Sequence, residues 1–350
     1  MELKNFYNEK KVLITGNTGF KGSWMQHILD LCGAKVVGVG LKPDEKENLF
    51  EILGHNISDR TYFADVRDLD ELSEIFEKEK PDIVIHMAAQ PLVIESYNDP
   101  VYTYATNVMG TVNVCECVRR SESVKSFINV TTDKVYRNNE WEYPYRENDI
   151  LDGYDPYSNS KSCSELVTAC YKRSFYSGGD VAVSTCRAGN VIGGGDFAEN
   201  RILPDCVRSA RDGKPIIVRN PNSIRPYQHV LEAVMFYLQL AKAQYEDTGL
   251  SGEYNIGPRE CDCLTTGTLC DLFCEKWGKG VRWETTDYDG PHEANYLRLD
   301  TSKAQKCLHW HPVWNVETAV KKTVEWYKTY IEKEDMAEYT NEQILEYLNE

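Results

Sequence analysis

The sequence predicts an α/β protein: a doubly wound parallel sheet with a smaller lobe contributed by the C-terminal part of the chain. Short apolar runs rich in Val and Ile recur along the first half without strict alternation, as expected for parallel strands covered on both faces. Helix-length segments such as 23–31, 69–78 and 101–121 separate these runs, and this β–α–β–α order is typical of a doubly wound sheet. The alternation weakens in the second half, which predicts the separate lobe.

The predicted strands follow the apolar runs in chain order and cover residues 11–15, 35–39, 61–64, 82–87, 125–131, 180–186 and 253–256. After about Gly189, the segments 187–227 and 259–350 contain turns, arginines and aromatic residues between isolated helices. We therefore predict a sheet domain from 1–186 plus 228–258, and a smaller lobe from 187–227 plus 259–350. Two such units suit a chain of 350 residues.

Composition narrows the classes of function. The chain has 39 Lys and Arg against 55 Asp and Glu, and its net charge of −16 disfavours binding to nucleic acid or to anionic lipid. No apolar run approaches the ~20 residues of a membrane span, and the polar N-terminus does not look like a signal peptide. The twelve cysteines lack paired metal-ligand spacing even in the densest group, at 261–274, so we expect reduced thiols, no metal site and a cytoplasmic protein.

A glycine-rich loop follows the first predicted strand. Gly16, Gly19 and Gly22 are spaced Gly-x-x-Gly-x-x-Gly, and a helix is predicted to begin near Ser23. Glycines at such a turn let backbone N–H groups approach a pyrophosphate at a helix N-terminus, whereas an ordinary strand–helix turn is the alternative interpretation. The strand–loop–helix context favours a Rossmann-like domain that binds a dinucleotide.

The residues that would distinguish NAD from NADP give no clear preference. An acidic residue usually contacts the adenosine ribose after the second strand, but here the first acid is Asp44, and Lys21 and Lys42 would suit a 2′-phosphate. We expect NAD, with NADP still open. Asp65 and Val66, after the third strand, are expected to contact adenine, although Asp65 is also a candidate helix cap.

Two further groups of residues are candidates for catalysis. Tyr157 and Lys161 are four apart on a predicted helix and therefore share one face. A nearby ammonium, together with the positive nicotinamide ring of an oxidised cofactor, is expected to lower the pKa of the phenol. Thr132, Asp133 and Lys134 follow the fifth strand, at the edge where a doubly wound sheet binds its ligand. An ordinary turn is the alternative for the Asp-Lys pair. Together these residues would support oxidation of a carbinol followed by proton transfers at neighbouring carbons.

These motifs resemble the nucleotide-sugar 4,6-dehydratases of the extended short-chain dehydrogenase/reductase family. The resemblance covers residues 10 to 330, and the matching stretches are 15–24, 86–93, 106–111, 153–161, 187–196 and 224–230. The Asp133–Lys134 pair discriminates within the family, because dTDP-glucose enzymes have Asp-Glu there and epimerases have neither pair. Two positions depart from the branch: Asn17, where it often has His, and Thr132, where it often has Ser.

The resemblance implies a reaction in three stages, with CDP-glucose as the expected substrate. Tyr157 takes the proton of the C4 hydroxyl, which Thr132 positions, while hydride leaves C4 for the nicotinamide. Asp133 then acts as acid on the C6 hydroxyl and Lys134 as base at C5, so that water departs. Hydride finally returns to C6, giving a 4-keto-6-deoxy sugar, and Lys161 lowers the pKa of Tyr157 throughout.

The resemblance also implies the binding residues and the assembly. Cofactor contacts fall on Gly16, Thr18, Gly19, Phe20, Lys21, Gly22, Asp65, Val66, Ala88, Ala89, Gln90, Asn107, Tyr157 and Lys161. Substrate contacts fall on Gln90, Asn190, Arg201, Leu203, Arg219, Arg225 and His292, the arginines being suited to a pyrophosphate unless they are solvated surface residues. A homodimer is expected through helices 101–121 and 156–176. A 4-epimerase, a 4,6-dehydratase of another NDP-hexose and a non-catalytic dinucleotide sensor remain alternatives.

Overall fold

The computed structural model describes residues 2–44, 46–55, 60–286 and 295–350. Its centre is a seven-stranded sheet in which every neighbouring pair is parallel, with the strand order β11-β6-β5-β4-β1-β2-β3. The strands of the sheet are β1 Lys11–Thr15, β2 Lys35–Gly40, β3 Thr61–Phe63, β4 Ile83–His86, β5 Ser126–Val130, β6 Ala182–Ala188 and β11 Glu253–Ile256. The predicted Rossmann-like α/β class is confirmed, and all seven predicted strands are present.

Six shorter strands pair outside the central sheet. They are β7 Val191–Ile192, β8 Ile216–Val218, β9 Ile224–Arg225, β10 Gln228–His229, β12 Leu264–Thr265 and β13 Trp283–Thr285. They form three two-stranded pairs, β10 with β7, β12 with β9, and β13 with β8. These pairs give regular structure to the segments after β6, in which the sequence shows no alternation of strands and helices.

The helices are α1 Glu2–Tyr7, α2 Phe20–Leu31, α3 Leu49–Ile52, α4 Leu69–Glu79, α5 Val93–Asn98, α6 Pro100–Tyr104, α7 Gly110–Arg120, α8 Pro156–Phe175, α9 Ile202–Arg211, α10 Val230–Glu246, α11 Thr266–Trp277, α12 Ser302–Leu308, α13 Val316–Ile331 and α14 Met336–Asn349. The single helix predicted at 101–121 is instead α6 and α7 joined by a π-helical segment, Ala105–Met109. None of the helices in the described part of the chain is long and apolar enough to cross a membrane.

Apolar side chains cover both faces of the sheet. On one face, α2 and α10 pack against the strands through buried residues such as Trp24, Ile28 and Phe236. On the other face, α4 and α7 bury Phe76 and Val118. Burying a large apolar side chain contributes about 1.5–3 kcal/mol, so these two layers fix the sheet whose edge carries the polar residues described below.

The C-terminal helices belong to the first of these layers. Trp326 of α13 is fully buried in the same cluster as Trp24, and the hydroxyl of Tyr347 in α14 donates to the carboxylate of Glu232 in α10 at 2.9 Å. One continuous core therefore joins the sheet domain to part of the predicted lobe. The boundaries at 186, 228 and 258 stay a prediction.

Candidate active site

A cavity of about 310 Å³ opens at the carboxyl ends of the central strands. Its walls come from the start of α2, the loops after β4 and β5, the start of α8, and the segments 188–205 and 217–227. Motifs more than 100 residues apart in the chain therefore meet at one place, as parallel topology predicts.

The glycine loop between β1 and α2 is too tight for side chains at two positions. Gly16 has φ +75°, and a Cβ there would lie 2.7 Å from the backbone nitrogen of Ala88. A Cβ on Gly22 would lie 2.1 Å from the carbonyl oxygen of Gly16. The backbone can thus approach a pyrophosphate at the N-terminus of α2, and this cradle fits a dinucleotide. The helix α2 begins at Phe20 rather than near Ser23 as predicted, so Gly22 lies inside it.

Asn17, which stands where the related dehydratases often have His, is closely packed beneath this loop. Its side chain is fully buried, and its Nδ2 donates to Oε1 of Gln26 at 3.1 Å. A Cβ on Gly38 of β2 would lie 2.1 Å from the same Nδ2, so the amide occupies space that a glycine leaves open.

The candidate adenine residues lie just before α4. Asp65 pairs with Arg67 at 2.6 Å, and this interaction lowers the pKa of Asp65. Val66 is buried against Gly110 of α7. The N-cap of α4 is Asp68, whose side chain accepts from the backbone N–H of Glu71, so Asp65 is not the helix cap.

The amide side chains of Asn107 and Gln90 hold the loop after β4 in place through hydrogen bonds. Asn107, in the π segment, accepts from the backbone N–H of Gln90 at 2.8 Å and donates to Ser160 of α8 at 2.9 Å. The side chain of Gln90 donates to Leu92 and Thr103. The structure therefore gives both amides internal partners, and their contacts with cofactor or substrate stay predictions, as do those of Thr18 and Ala89.

Thr132, Asp133 and Lys134 all line the cavity. The hydroxyl of Thr132 donates to Oδ1 of Asp133 at 3.0 Å, while Oδ2 of Asp133 has no hydrogen-bond partner among the described residues. Asp133 is only 2% exposed, and burial raises its pKa. A raised pKa favours the protonated form of this carboxyl and so suits it to act as an acid, which distinguishes this segment from an ordinary turn.

Tyr157 and Lys161 occupy successive turns of α8, whose N-cap Asp155 accepts from the backbone N–H of Ser158. Tyr157 lines the cavity, and the buried ammonium of Lys161 donates to the carbonyl of Val130 at 3.1 Å. The pairing on one helix face agrees with the sequence.

Burial raises the pKa of Tyr157 to about 12, opposed by the neighbouring hydroxyl of Thr132. Burial and the neighbouring charge of Lys21 lower the pKa of Lys161 to about 7, so this amine is only partly charged at neutral pH. In the protein by itself, loss of hydration therefore outweighs the attraction of the partly charged amine, and the lowering of the pKa of Tyr157 by Lys161 together with an oxidised nicotinamide stays a prediction.

A buried ion pair beneath the site was not predicted from the sequence. Glu165, one turn after Lys161, accepts from Nε and Nη2 of Arg187 at 2.9 and 2.8 Å and from the hydroxyls of Thr131 and Thr185. Both charged side chains are 2% exposed. The pair ties α8 to β5 and β6, and the helical spacing from Lys161 is the only signal in the sequence that points to it.

The substrate-binding candidates mostly meet in the cavity, whose lining includes Asn190, Arg201, Leu203, Arg219 and Arg225. Arg201 pairs with Asp196 at 2.9 Å, and Arg225 is 5% exposed, so neither is a freely solvated surface arginine. His292 lies outside the described residues.

Lys21 and Tyr157 both line the cavity, whereas Lys42 is exposed beyond the end of β2. The electrostatic neighbours of Lys21 are Arg201, Asp133 and Asp196. The preference of the two lysines for a 2′-phosphate stays a prediction. Asp196, also in the cavity, is a residue that the sequence did not single out.

Comparisons with known proteins agree with this site. The family described as GDP-mannose 4,6 dehydratase matches residues 13–323. A CDP-glucose 4,6-dehydratase of Salmonella typhimurium is 44% identical, covering 99% of this chain and 98% of that protein. A dTDP-glucose 4,6-dehydratase of the same organism is 30% identical, covering 91% of this chain and 92% of that protein.

Among solved structures, UDP-glucose 4-epimerase of Thermotoga maritima superposes with a TM-score of 0.79 at 23% identity, covering 92% of this chain and 99% of that chain. The similarity supports the fold. The resemblance found in the sequence motifs is confirmed, and the chain belongs to the GDP-mannose 4,6-dehydratase family.

Proposed function

We propose that this protein is an NAD-dependent 4,6-dehydratase that converts CDP-D-glucose to CDP-4-dehydro-6-deoxy-D-glucose and water. One observation carries the proposal: a phenol, a buried carboxyl and three arginines line the same cavity next to a glycine loop. The relative at 44% identity, named CDP-glucose 4,6-dehydratase, supports the choice of substrate.

The cofactor site consists of the glycine cradle of Gly16, Gly19 and Gly22 and the turn at Asp65–Val66, with Lys161 near the reacting end. When bound, NAD accepts a hydride and later returns it. The backbone of the cradle binds the pyrophosphate, and the Asn107–Gln90 hydrogen bonds keep the neighbouring loop in place.

Tyr157 removes the proton of the C4 hydroxyl, and Thr132 holds the oxygen by a hydrogen bond. Because burial raises the pKa of Tyr157 to about 12, its deprotonation requires positive charge close to the phenol. Protonated Lys161 supplies part of that charge from the next turn of α8.

Elimination is assigned to the pair after β5. The C4 ketone makes the C5 proton acidic, and Lys134 removes it. Asp133 donates its proton to the C6 hydroxyl, which leaves as water, and the raised pKa of this buried carboxyl favours that role.

The lobe residues bind the nucleotide. Arg201, Arg219 and Arg225 bring positive charge into one cavity of a protein whose net charge is −16. Guanidinium groups bind diphosphate oxygens through paired hydrogen bonds, so these three residues suit the diphosphate of the substrate.

We further propose a homodimer in the cytoplasm. The surface formed by α6, the π segment and α8 exposes large apolar side chains, with Val101 at 78%, Met109 at 52%, Leu166 at 57% and Phe175 at 54%. Such a patch is typical of subunit interfaces. Sedimentation velocity tests it: a monomer at micromolar concentration contradicts the dimer. The twelve free thiols favour a reducing compartment.

Incubation with CDP-glucose and NAD, followed by mass spectrometry, tests the activity. We expect a CDP-sugar product lacking one water. Unchanged CDP-glucose together with turnover of dTDP- or GDP-hexoses would contradict the substrate, and an isomer that keeps its C6 oxygen would indicate an epimerase. Full activity of Tyr157→Phe would contradict the mechanism.

A further inference from the structure

Lys21 is an unpaired cation in the cavity. It is the second residue of α2, and it lines the cavity together with Phe20, Asp133 and Tyr157. Within residues 2–44, 46–55, 60–286 and 295–350, no acceptor lies within hydrogen-bonding or ion-pairing distance of its ammonium. A charged side chain held in a cavity without a partner is costly unless a ligand shares the site or the charge has a function there.

The charges around Lys21 oppose one another. Arg201 repels its ammonium while Asp133 and Asp196 attract it, and Asp196 is already paired with Arg201 at 2.9 Å. Burial lowers the pKa of Lys21 to about 8, so about nine-tenths of it is protonated at pH 7. Its charge in turn lowers the pKa of Lys161, which places Lys21 within electrostatic reach of the Tyr157–Lys161 pair.

We propose that Lys21 sets the redox balance of the bound nicotinamide, its ammonium favouring the neutral reduced ring over the cationic oxidised ring. This inference rests on the proposed function. In that reaction the phenol of Tyr157 and the hydride acceptor meet at one carbon, so the acceptor ring must enter the cavity that Tyr157 and Lys21 both line. A positive charge there repels the oxidised ring and leaves the reduced ring almost unaffected.

The consequence concerns both hydride transfers. Lys21 makes the ring a stronger oxidant when hydride leaves C4, and a weaker donor when hydride returns to C6. Lys21 is therefore a tuning residue, and its removal changes the relative rates of the two halves of the reaction. One unit charge about 12 Å from the ring, at an effective dielectric of about 20, changes the ratio of the NAD+ and NADH dissociation constants by about tenfold, and a shorter distance changes it more.

Fluorescence titration of the purified protein with NAD+ and with NADH measures this ratio without turnover. In Lys21→Met we expect NAD+ to bind about tenfold more tightly relative to NADH than in the wild type, equivalent to a potential lower by about 30 mV. Lys21→Arg, which keeps the charge, and Lys42→Met, which removes an exposed lysine, are expected to keep the wild-type ratio. Circular dichroism verifies folding, and Lys21→Gln provides the same loss of charge should the Met variant not fold.

Three outcomes separate the explanations. A ratio within twofold of the wild type in both neutral variants overturns the inference. Equal weakening of NAD+ and NADH binding also overturns it, because it indicates a pyrophosphate contact or a structural role. Failure of the wild-type protein to bind either dinucleotide contradicts the proposed function instead.

Discussion

The buried pair between Glu165 and Arg187 offers a quantitative test of how the site is held. Replacing Glu165 by Met leaves the guanidinium of Arg187, 2% exposed, with only the Tyr136 hydroxyl at 2.8 Å and the Glu147 carbonyl at 2.9 Å. Four hydrogen bonds to the Glu165 carboxylate are lost, two from Arg187 and two from threonine hydroxyls, and a buried cation loses its counter-ion, which costs about 3–5 kcal/mol. Since a domain is stable by about 5–15 kcal/mol, the variant should be severely destabilised.

Urea unfolding monitored by circular dichroism measures this cost. The matched control is the double variant Glu165→Met/Arg187→Met, in which no buried charge is left unpaired. We expect it to be at least about 2 kcal/mol more stable than Glu165→Met. A single-variant cost under about 1 kcal/mol, or a double variant less stable than the single, would refute the view that the pair holds α8 against β5 and β6.

The remaining predictions concern chemistry and pH. Tyr157→Phe should lower kcat by orders of magnitude at unchanged urea midpoint, whereas Tyr154→Phe, at an exposed position, should keep the wild-type rate. Asp133→Asn should still form reduced cofactor, detected by absorbance, but release little 6-deoxy product; normal product release would contradict its acid role. Burial raises the pKa of Glu232 to about 7 from 4.5, so the folded chain binds this proton more tightly than the unfolded chain. Stability from this group should therefore fall by about 3 kcal/mol between pH 4.5 and 7, and Glu232→Gln should remove that slope in urea unfolding.

The bounds of a strand were predictable where neighbouring residues in the sequence indicate its ends. β1 and β11 begin and end at the predicted residues. β6 instead continues to Ala188, because Arg187 is a strand residue whose charge is neutralised by Glu165, and a charged residue ordinarily suggests the end of a buried strand.

The catalytic candidates were predictable for a topological reason. Thr132 and Asp133 follow a strand end and Tyr157 begins a helix over the same edge, so local motifs and the parallel rule suffice to bring them together. The position of Lys21 in the cavity lining and the raised pKa of Tyr157 depend on burial among residues distant in the chain. The sequence carries no local signal for such burial.

The π segment at Ala105–Met109 has a consequence for how the chain tolerates insertions and deletions. A π turn holds about one residue more than an α turn, so a homologue with a regular helix here would appear to lack a residue in an alignment. Deleting one residue from the segment in this protein would turn α6 by about 100° relative to α7. Asn107 would lose its contacts with Gln90 and Ser160, so a single-codon deletion in this segment would displace the loop after β4, which lines the cavity.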